Sequence, residues 1–428
     1  MKFPPGFWWG ASTSSYQTEG ENRDSALWEW ERRKGWERSG RAVDSWRLWR
    51  QDLACLKALH LNTYRFSVEW SRVEPLPGQW REDALEQYAE LAAALAAAGI
   101  RPIACLHHFS EPAWLHREVP AGWRSEKTVK YFTRFAAKVA QALKGQVREW
   151  LVFNEPMVFL LAGYGFAIFP PGRFGAHRLE RDFLGTGGLI DLAARAHIEA
   201  AAAIRAARPD AVVGIAHNVT DLEPARDHPA DRDAVRDWDR LMHHRLIDLL
   251  VEAKALDFLG INYYTRVFVR RLNLPGAPLR ALPGHAEIEK ALGPFLFRLL
   301  GGTRGDRPRT DMGWEIVPEG LERVLSRAWE RYKLPLVVTE NGIADAAGDK
   351  RERYLKDHLA AMGRALSASA DIRGYLHWSL MDNYEWGSFK PKFGLFTVDR
   401  SGGYARRLAP GADFYAQVAL KNELPEAS

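Results

Sequence analysis

Eight short apolar runs recur along the 428-residue sequence, and most are followed by a longer segment with helical spacing. The runs are Phe7–Thr13, Asn62–Trp70, Ile100–Phe109, Glu149–Pro156, Ala211–Asn218, Phe258–Tyr264, Leu334–Gly342 and Ile372–Leu380. The helical segments are Asp83–Ala98, Lys127–Leu143, Ile190–Ala207, Asp233–Val251, Glu319–Arg331 and Arg351–Leu366. Repeated strand-then-helix units imply a parallel sheet with right-handed crossovers, and eight of them close into a (β/α)₈ barrel. The sequence therefore predicts an α/β protein with a single barrel domain over residues 1–428.

Polar and aromatic residues gather where the predicted strands end. The set is Gln17, Glu19, Glu69, Trp70, His107, His108, Asn154, Glu155, Asn218, Asn262, Tyr264, Glu340, Asn341, Trp378, Asp382 and Glu385. The strand bodies, in contrast, consist mainly of Val, Ile, Leu, Ala and Phe. Active sites of such barrels lie at the carboxyl ends of the strands, so this distribution predicts one polar cavity there.

Two of the predicted strands end in a glutamate, Glu155 and Glu340, and these lie far apart in the sequence. Cleavage of a glycosidic bond requires two carboxyl groups brought together, about 5–5.5 Å apart in the retaining mechanism. One group attacks the anomeric carbon and needs a cation nearby, whereas the other must keep its proton near neutral pH. Structural ion pairs are the alternative role, and the position of both residues after buried strands argues against it.

The motifs around these glutamates resemble those of family 1 glycoside hydrolases, the retaining β-glucosidases. Thr339-Glu340-Asn341-Gly342 resembles the nucleophile motif, and Asn154-Glu155-Pro156 resembles the acid/base motif. Five more stretches agree in the family's order, namely Phe7–Gly20, Tyr64–Ser67, Leu106–Phe109, Gly260–Tyr264 and His377–Trp386. The resemblance implies a (β/α)₈ barrel in which Glu340 is the nucleophile and Glu155 is the acid/base, without a metal or cofactor.

The resemblance also implies roles for the residues around the sugar. The residues expected to bind its hydroxyls are Gln17, His108, Asn154, Glu385 and Trp386, with Trp378 as the floor on which the ring stacks. Arg65 would keep the nucleophile ionised, Tyr264 would donate a hydrogen bond to it, and Asn262 would support the same site. Alternation along a strand sends His107 and His108 to opposite faces, and the resemblance selects His108 for the cavity. His107 is then expected to be a packed residue.

Glu385 and Glu155 narrow the expected substrate. Relatives that act on 6-phosphorylated sugars lack a glutamate at the position of Glu385, because a carboxylate there would repel the phosphate. Relatives that act on glucosinolates replace the acid/base glutamate. The expected reaction is hydrolysis of a terminal β-linked glucose, with galactose and fucose as alternatives and with transfer to other acceptors in competition. The loop Gly387–Gly394 is slightly shorter than is usual in the family, which affects contacts around the sugar's 6-position.

The amino-acid composition gives expectations about where in the cell the protein is located and about its tryptophans. Two cysteines, Cys55 and Cys105, in a long chain indicate a reducing compartment. The opening residues lack the pattern of a signal peptide, and no apolar run reaches the ~20 residues that span a bilayer. We therefore expect a cytoplasmic protein. Most of the 17 tryptophans are expected in the core, and the remainder suit a sugar-binding cleft.

The basic residues are concentrated in one segment. Residues 266–310 hold nine Arg and Lys against three acids, which accounts for the formal net charge of +5. Charges interleave elsewhere, so no nucleic-acid partner is predicted. We interpret the segment as a loop on the barrel rim. The alternative is contact with anionic lipid or with an apolar aglycone.

Two other function classes remain to be weighed against a glycosidase. A non-catalytic sugar-binding relative would usually have lost one of the two glutamates, and this chain has both. A metal-dependent barrel enzyme would need a ligand cluster that the sequence does not show. His243-His244 lacks the spacing of metal ligands and is interpreted as a surface feature of a helix. The oligomeric state is left open.

Overall fold

The computed structural model describes residues 1–175, 179–271, 281–283 and 305–425. Eight parallel strands form a closed barrel in which neighbours along the chain are neighbours in the sheet. They are Trp8–Ser12 (β1), Thr63–Ser67 (β2), Arg101–His107 (β3), Glu149–Asn154 (β4), Val212–Asn218 (β5), Phe258–Asn262 (β6), Leu336–Asn341 (β7) and Ile372–Trp378 (β8). The barrel closes where β1 pairs with both β2 and β8. Each strand lies within one of the eight predicted runs, so the prediction of a (β/α)₈ barrel is confirmed.

The helices follow the predicted pattern, with one informative difference. Their bounds are Ser15–Thr18, Ala26–Lys34, Ser45–Ala58, Trp70–Val73, Glu82–Ala97, Ala113–Glu118, Glu126–Leu143, Pro156–Leu160, Leu179–Leu184, Leu189–Ala207, Pro229–Asp239, Arg245–Glu252, Pro318–Tyr332, Arg351–Ser367 and Ala412–Lys421. The predicted helix Asp233–Val251 contains a π-helix over Arg240–His244. His243 on this turn is only 5% exposed, so its interpretation as a surface residue is wrong.

In the described part of the chain, two small sheets accompany the barrel. One has three strands, Asp221–Pro224, Arg266–Arg271 and Ala281–Pro283, and the other is a hairpin of Phe396–Asp399 with Ala405–Leu408. Most of the basic segment 266–310 lies outside the described residues, so its interpretation stays a prediction. In the described part, Arg266 forms an ion pair with Glu315 at 2.7 Å.

The core has two layers. A cluster inside the barrel consists of Ile103, Cys105, Leu151, Ala216, Phe258, Val337 and Leu376, with further apolar residues packed between strands and helices. Five tryptophans are among the largest fully buried side chains, namely Trp9, Trp70, Trp114, Trp123 and Trp150. Within the described ranges, every helix is too short or too polar to span a lipid bilayer.

Candidate active site

Both glutamates lie at the carboxyl end of the barrel. Glu155 follows β4 and precedes the helix Pro156–Leu160, with its backbone in the left-handed region at φ 45°. Glu340 is the penultimate residue of β7. The two residues are 8% and 3% exposed, respectively. The fold therefore places two buried carboxyl groups at the end of the barrel where such enzymes have their active sites.

A chain of hydrogen bonds joins the two carboxyl groups. Arg65 Nη1 donates to Glu340 Oε1 at 2.5 Å, and Arg65 Nη2 donates to Asn154 Oδ1 at 2.6 Å. Asn262 Nδ2 donates both to Asn154 Oδ1 and to Glu155 Oε1, each at 2.9 Å. One arginine and two amides therefore connect the glutamates and fix their relative orientation.

Glu340 has the surroundings of an ionised group. Arg65 is fully buried beside it, and the Tyr264 hydroxyl donates to Glu340 Oε2 at 2.7 Å. The pKa of Glu340 lies above its ordinary value, because burial raises it by more than the Arg65 charge and the Tyr264 hydrogen bond lower it. Charge-assisted hydrogen bonds of this kind hold a carboxylate in one orientation. Arg65 and Tyr264 thus both contact the carboxyl group of Glu340.

Glu155 has different neighbours. Its hydrogen bonds come from neutral amides, Asn262 and, at 3.1 Å, Asn218 Nδ2. Burial, followed by the negative charge of Glu340, raises the pKa of Glu155 to about 7. A carboxyl group with that pKa can both give and take a proton near neutral pH. Asn218 is in the predicted set of strand-end residues, but no motif assigns it a role.

Gln17, Trp378 and Glu385 form one cluster at the same end of the barrel. Gln17 Nε2 donates to Glu385 Oε2 at 3.2 Å and to Asn383 Oδ1 at 3.0 Å. Trp378 Nε1 donates to the other Glu385 oxygen at 3.2 Å. Burial is the main cause that raises the pKa of Glu385 to about 8. Gln17 Oε1 is buried and accepts no hydrogen bond within the described part of the chain.

His108 belongs to the same group of side chains at the carboxyl end of the barrel. Asn154 Oδ1 already accepts two hydrogen bonds, so its amide nitrogen faces His108 Nε2 at 3.0 Å. Burial lowers the pKa of His108, and the neutral ring therefore carries its proton on Nδ1. That N–H is buried and has no partner among the described residues. The His108 ring lies nearly parallel to Trp378 and to Trp386, at centroid distances of 5.7 Å and 6.2 Å.

Among the described residues, His108 Nδ1 and Gln17 Oε1 lack hydrogen-bond partners, whereas buried polar groups are generally paired. A ligand with several hydroxyl groups can satisfy both, because each hydroxyl donates one hydrogen bond and accepts others. The cluster therefore suits a sugar better than an apolar ligand.

Other strand-end residues have structural partners. Glu19 forms an ion pair with Arg72 at 2.9 Å, and Glu69 accepts from the hydroxyls of Ser71 and Ser110 at 2.6 and 2.7 Å. Asn341 is fully buried and bonds to three tyrosines. Polarity at the strand ends therefore marks both the cavity and the layer of residues that supports it.

His107 packs on the opposite side of the strand from His108. It is 1% exposed, contacts four aromatic rings and lies 3.2 Å from Glu111 Oε1 through Nε2. The prediction that His107 is a packed residue is confirmed.

Comparison with known proteins identifies the family to which this chain belongs. Residues 1–254 and 247–424 match glycosyl hydrolase family 1. The chain belongs to glycosyl hydrolase family 1. Among family 1 relatives, the β-galactosidase of Sulfolobus acidocaldarius is 32% identical over 100% of this chain and 96% of that protein. β-Glucosidase A of Thermotoga maritima is 28% identical over 98% of each protein.

Solved structures of the family agree with the fold. The β-glycosidase from Pyrococcus horikoshii has a TM-score of 0.86 and 32% identity, over 99% of this chain and 96% of its own. The family 1 β-glucosidase from Thermotoga maritima has a TM-score of 0.84 and 26% identity, over 99% of both chains. Double displacement with retention is the general mechanism of family 1, and this member is a β-glycosidase.

Proposed function

We propose that this enzyme removes a terminal β-linked glucose, with Glu340 as the nucleophile and Glu155 as the acid/base. The observation that carries the assignment is the difference between their surroundings. Glu340 has a buried guanidinium and a phenol that favour the carboxylate. Among the described residues, the side chains that donate hydrogen bonds to Glu155 are neutral amides, and its pKa is raised to about 7. A nucleophile needs the former environment and a general acid needs the latter.

The reaction then proceeds in two displacements. In the first, Glu155 gives its proton to the glycosidic oxygen while a Glu340 oxygen attacks the anomeric carbon, so the aglycone leaves as an alcohol. In the second, Glu155 takes a proton from water, and the water oxygen displaces Glu340 from the sugar. Esterified Glu340 carries no charge, which lowers the pKa of Glu155 when it must act as a base. The two carboxyl groups and water supply every proton and bond in this scheme, so we propose no metal or cofactor.

We assign the sugar hydroxyls to the polar cluster and the apolar face of the ring to Trp378. The residues proposed to bind hydroxyls are Gln17, His108, Asn154, Glu385 and Trp386, as the family motifs imply. Asn154, which is held by Arg65 and Asn262, would contact the 2-hydroxyl. Hydrogen bonds at that hydroxyl strengthen as the transition state gains oxocarbenium character.

Glucose is the first choice for the sugar, with galactose and fucose as alternatives. The relatives named above include a β-galactosidase and a β-glucosidase. The pKa of Glu385, about 8, changes the argument against a phosphorylated sugar, because a carboxyl group with this pKa is largely neutral at pH 7. Trp378 and Gln17, which donate hydrogen bonds to Glu385, are neutral as well, whereas phosphate recognition favours cations. Aryl glycosides that differ at the 4- and 6-positions would measure the preference directly.

Azide rescue tests the roles of the two glutamates. Glu340→Gly should lose hydrolysis, and added azide should restore turnover of an activated aryl glucoside with an inverted, α-configured product. Glu155→Ala is the matched control. It should retain activity on substrates whose leaving groups need no protonation, and azide should give the β-configured product because the glycosyl-enzyme still forms. Full hydrolytic activity in Glu340→Gly would reject the assignment.

One measurement distinguishes the proposed glycosidase from a non-catalytic sugar-binding protein and from a metal-dependent enzyme. Turnover of an aryl β-glucoside in the presence of a chelator is expected here and is expected of neither alternative. We also propose a cytoplasmic location, which is supported by the presence of two free, buried cysteines.

A further inference from the structure

Asn218 contacts the proposed acid/base from a position that no motif assigns. It is the last residue of β5, and its Nδ2 lies 3.1 Å from Glu155 Oε1. The oxygen of the same amide accepts the Thr220 hydroxyl at 3.2 Å. Because a carboxylate oxygen only accepts hydrogen bonds, the amide nitrogen is the atom that faces Glu155, and the amide oxygen is left to accept from Thr220. The Thr220 hydroxyl thus stabilises the Asn218 amide in the orientation that donates to Glu155.

Thr220 is held in turn by a histidine. Its backbone N–H donates to His243 Nε2 at 3.2 Å, so this ring nitrogen carries no proton. The other nitrogen, Nδ1, lies 2.7 Å from Asp239 Oδ1 and donates its proton there. Asp239 thus selects the tautomer in which His243 can hold Thr220. We refer to Thr220, His243 and Asp239 as the relay.

The backbone of the relay is unusual. His243 lies on the π-helix Arg240–His244, whose i→i+5 turn brings the fourth and the fifth residue after Asp239 to the same carboxylate. Hydrogen bonds from both histidines keep the pKa of Asp239 below its ordinary value although burial acts in the opposite direction. Single π-helical turns are rare and occur frequently at functional sites. The π-helical turn thus brings buried His243 close to Asp239 and leaves its other ring nitrogen to accept from the backbone N–H of Thr220.

We propose that Asn218 is a positioning residue for Glu155 and that the relay orients its amide. The proposal rests on the role of Glu155 as the acid/base. An amide N–H favours the carboxylate, so Asn218 lowers the pKa of Glu155 against the effects of burial and of Glu340. The relay thereby keeps Glu155 able to take a proton from water in the second displacement. Within the described part of the chain, the charged and polar side chains that act most strongly on Glu155 are Glu340, Asn262, Asn218 and Arg65.

The pH dependence of kcat/KM tests the proposal, because its alkaline limb reports the pKa of the acid in the free enzyme. Asn218→Ala removes the amide donor, and the limb should move upward by about one pH unit, as expected for one lost hydrogen bond to a charged group. Thr220→Val keeps the backbone N–H but removes the hydroxyl, and should move the limb upward by about half as much. Thr220→Ser retains the hydroxyl and should preserve the original profile.

Two neighbouring histidines provide a matched pair. His243→Leu should move the alkaline limb upward, whereas His244→Leu should leave it in place, although each variant loses one contact with Asp239. A merely structural role would lower the Tm of the His243 and Thr220 variants without moving the limb, and that result would overturn the proposal. A shift in Asn218→Ala alone would overturn the part played by the relay.

Glu155→Ala distinguishes this proposal from the proposed function. With an activated aryl glucoside, this variant should lose the alkaline limb whatever the effect of Asn218. An alkaline limb that survives in Glu155→Ala would refute the acid/base assignment itself. If the alkaline limb is absent in Glu155→Ala but unmoved in Asn218→Ala, only the positioning role is refuted.

Discussion

Replacing Glu340 by glutamine should lower the pKa of Glu155. A glutamine imitates the uncharged ester of the glycosyl-enzyme, and the negative charge of Glu340 is the second cause, after burial, of the raised Glu155 pKa. Two unit charges about 5.5 Å apart interact by about 3 kcal/mol at an effective dielectric constant of about 20. Arg65 neutralises part of that field, so a fall of about one pKa unit, or about 1.4 kcal/mol, is expected. Burial is unchanged, and Glu155 should therefore still titrate above an ordinary glutamate.

The assay is a titration by carbon-13 NMR of enzyme labelled at the glutamate carboxyl carbons, with Glu155→Gln used to assign the signal. In the original enzyme the Glu155 signal should titrate with a pKa of about 7. Glu385→Gln is the matched control, because it removes a carboxyl group from the same cavity that is not among the main causes of the Glu155 shift. A Glu155 pKa that is unchanged or higher in Glu340→Gln would refute the reasoning, and so would an equal fall in both variants.

Three further predictions follow from individual contacts. Tyr264→Phe removes a hydrogen-bond donor that favours the Glu340 carboxylate. The acid limb of the pH profile of kcat/KM should therefore move to higher pH, and kcat/KM should fall about tenfold. An acid limb that stays in place would contradict the importance of this contact. Gln17→Leu should lower kcat/KM for a glucoside by about 10- to 100-fold, because the Gln17 oxygen, which has no partner among the described residues, is proposed to accept from a sugar hydroxyl. The same variant should also lower Tm, because it loses the hydrogen bonds of Gln17 Nε2 to Asn383 and Glu385. Asn341→Ala loses three buried hydrogen bonds and should lower the free energy of unfolding in urea by about 3 kcal/mol; a changed KM without lost stability would contradict its structural role.

The barrel could be predicted because its strands are encoded locally. Val337 and Val338 of β7, for example, are both fully buried, one inside the barrel and one against the helices. A strand that is buried on both faces has a continuous apolar sequence, and in β7 the apolar residues end before Glu340. The environment of that residue follows from motifs on other strands, because Arg65 and Tyr264 are recognisable in the sequence before the fold is known. That the whole chain forms one domain stays a prediction.

The layer beneath the cavity could not be predicted in the same way. Glu19 and Asn341 have the same sequence signature as Glu155, a polar side chain at or near a strand end, yet their partners are an arginine and buried tyrosines. Which of these positions faces the sugar depends on side chains far away in the sequence. The contact between His243 and the backbone of Thr220 likewise depends on a π-helical turn, for which a pair of histidines gives no local signal.

The measurement that tests the central claim most directly is capture of the covalent intermediate. A 2-deoxy-2-fluoro-β-glucoside with a good leaving group should inactivate the enzyme, since the fluorine removes the 2-hydroxyl contact and slows the second displacement more than the activated first one. Mass spectrometry of the digested protein should then find the sugar on the peptide that contains Glu340, bound through its side chain. An adduct on Glu155, an adduct on another residue, or turnover that gives an inverted product without any adduct would contradict the account.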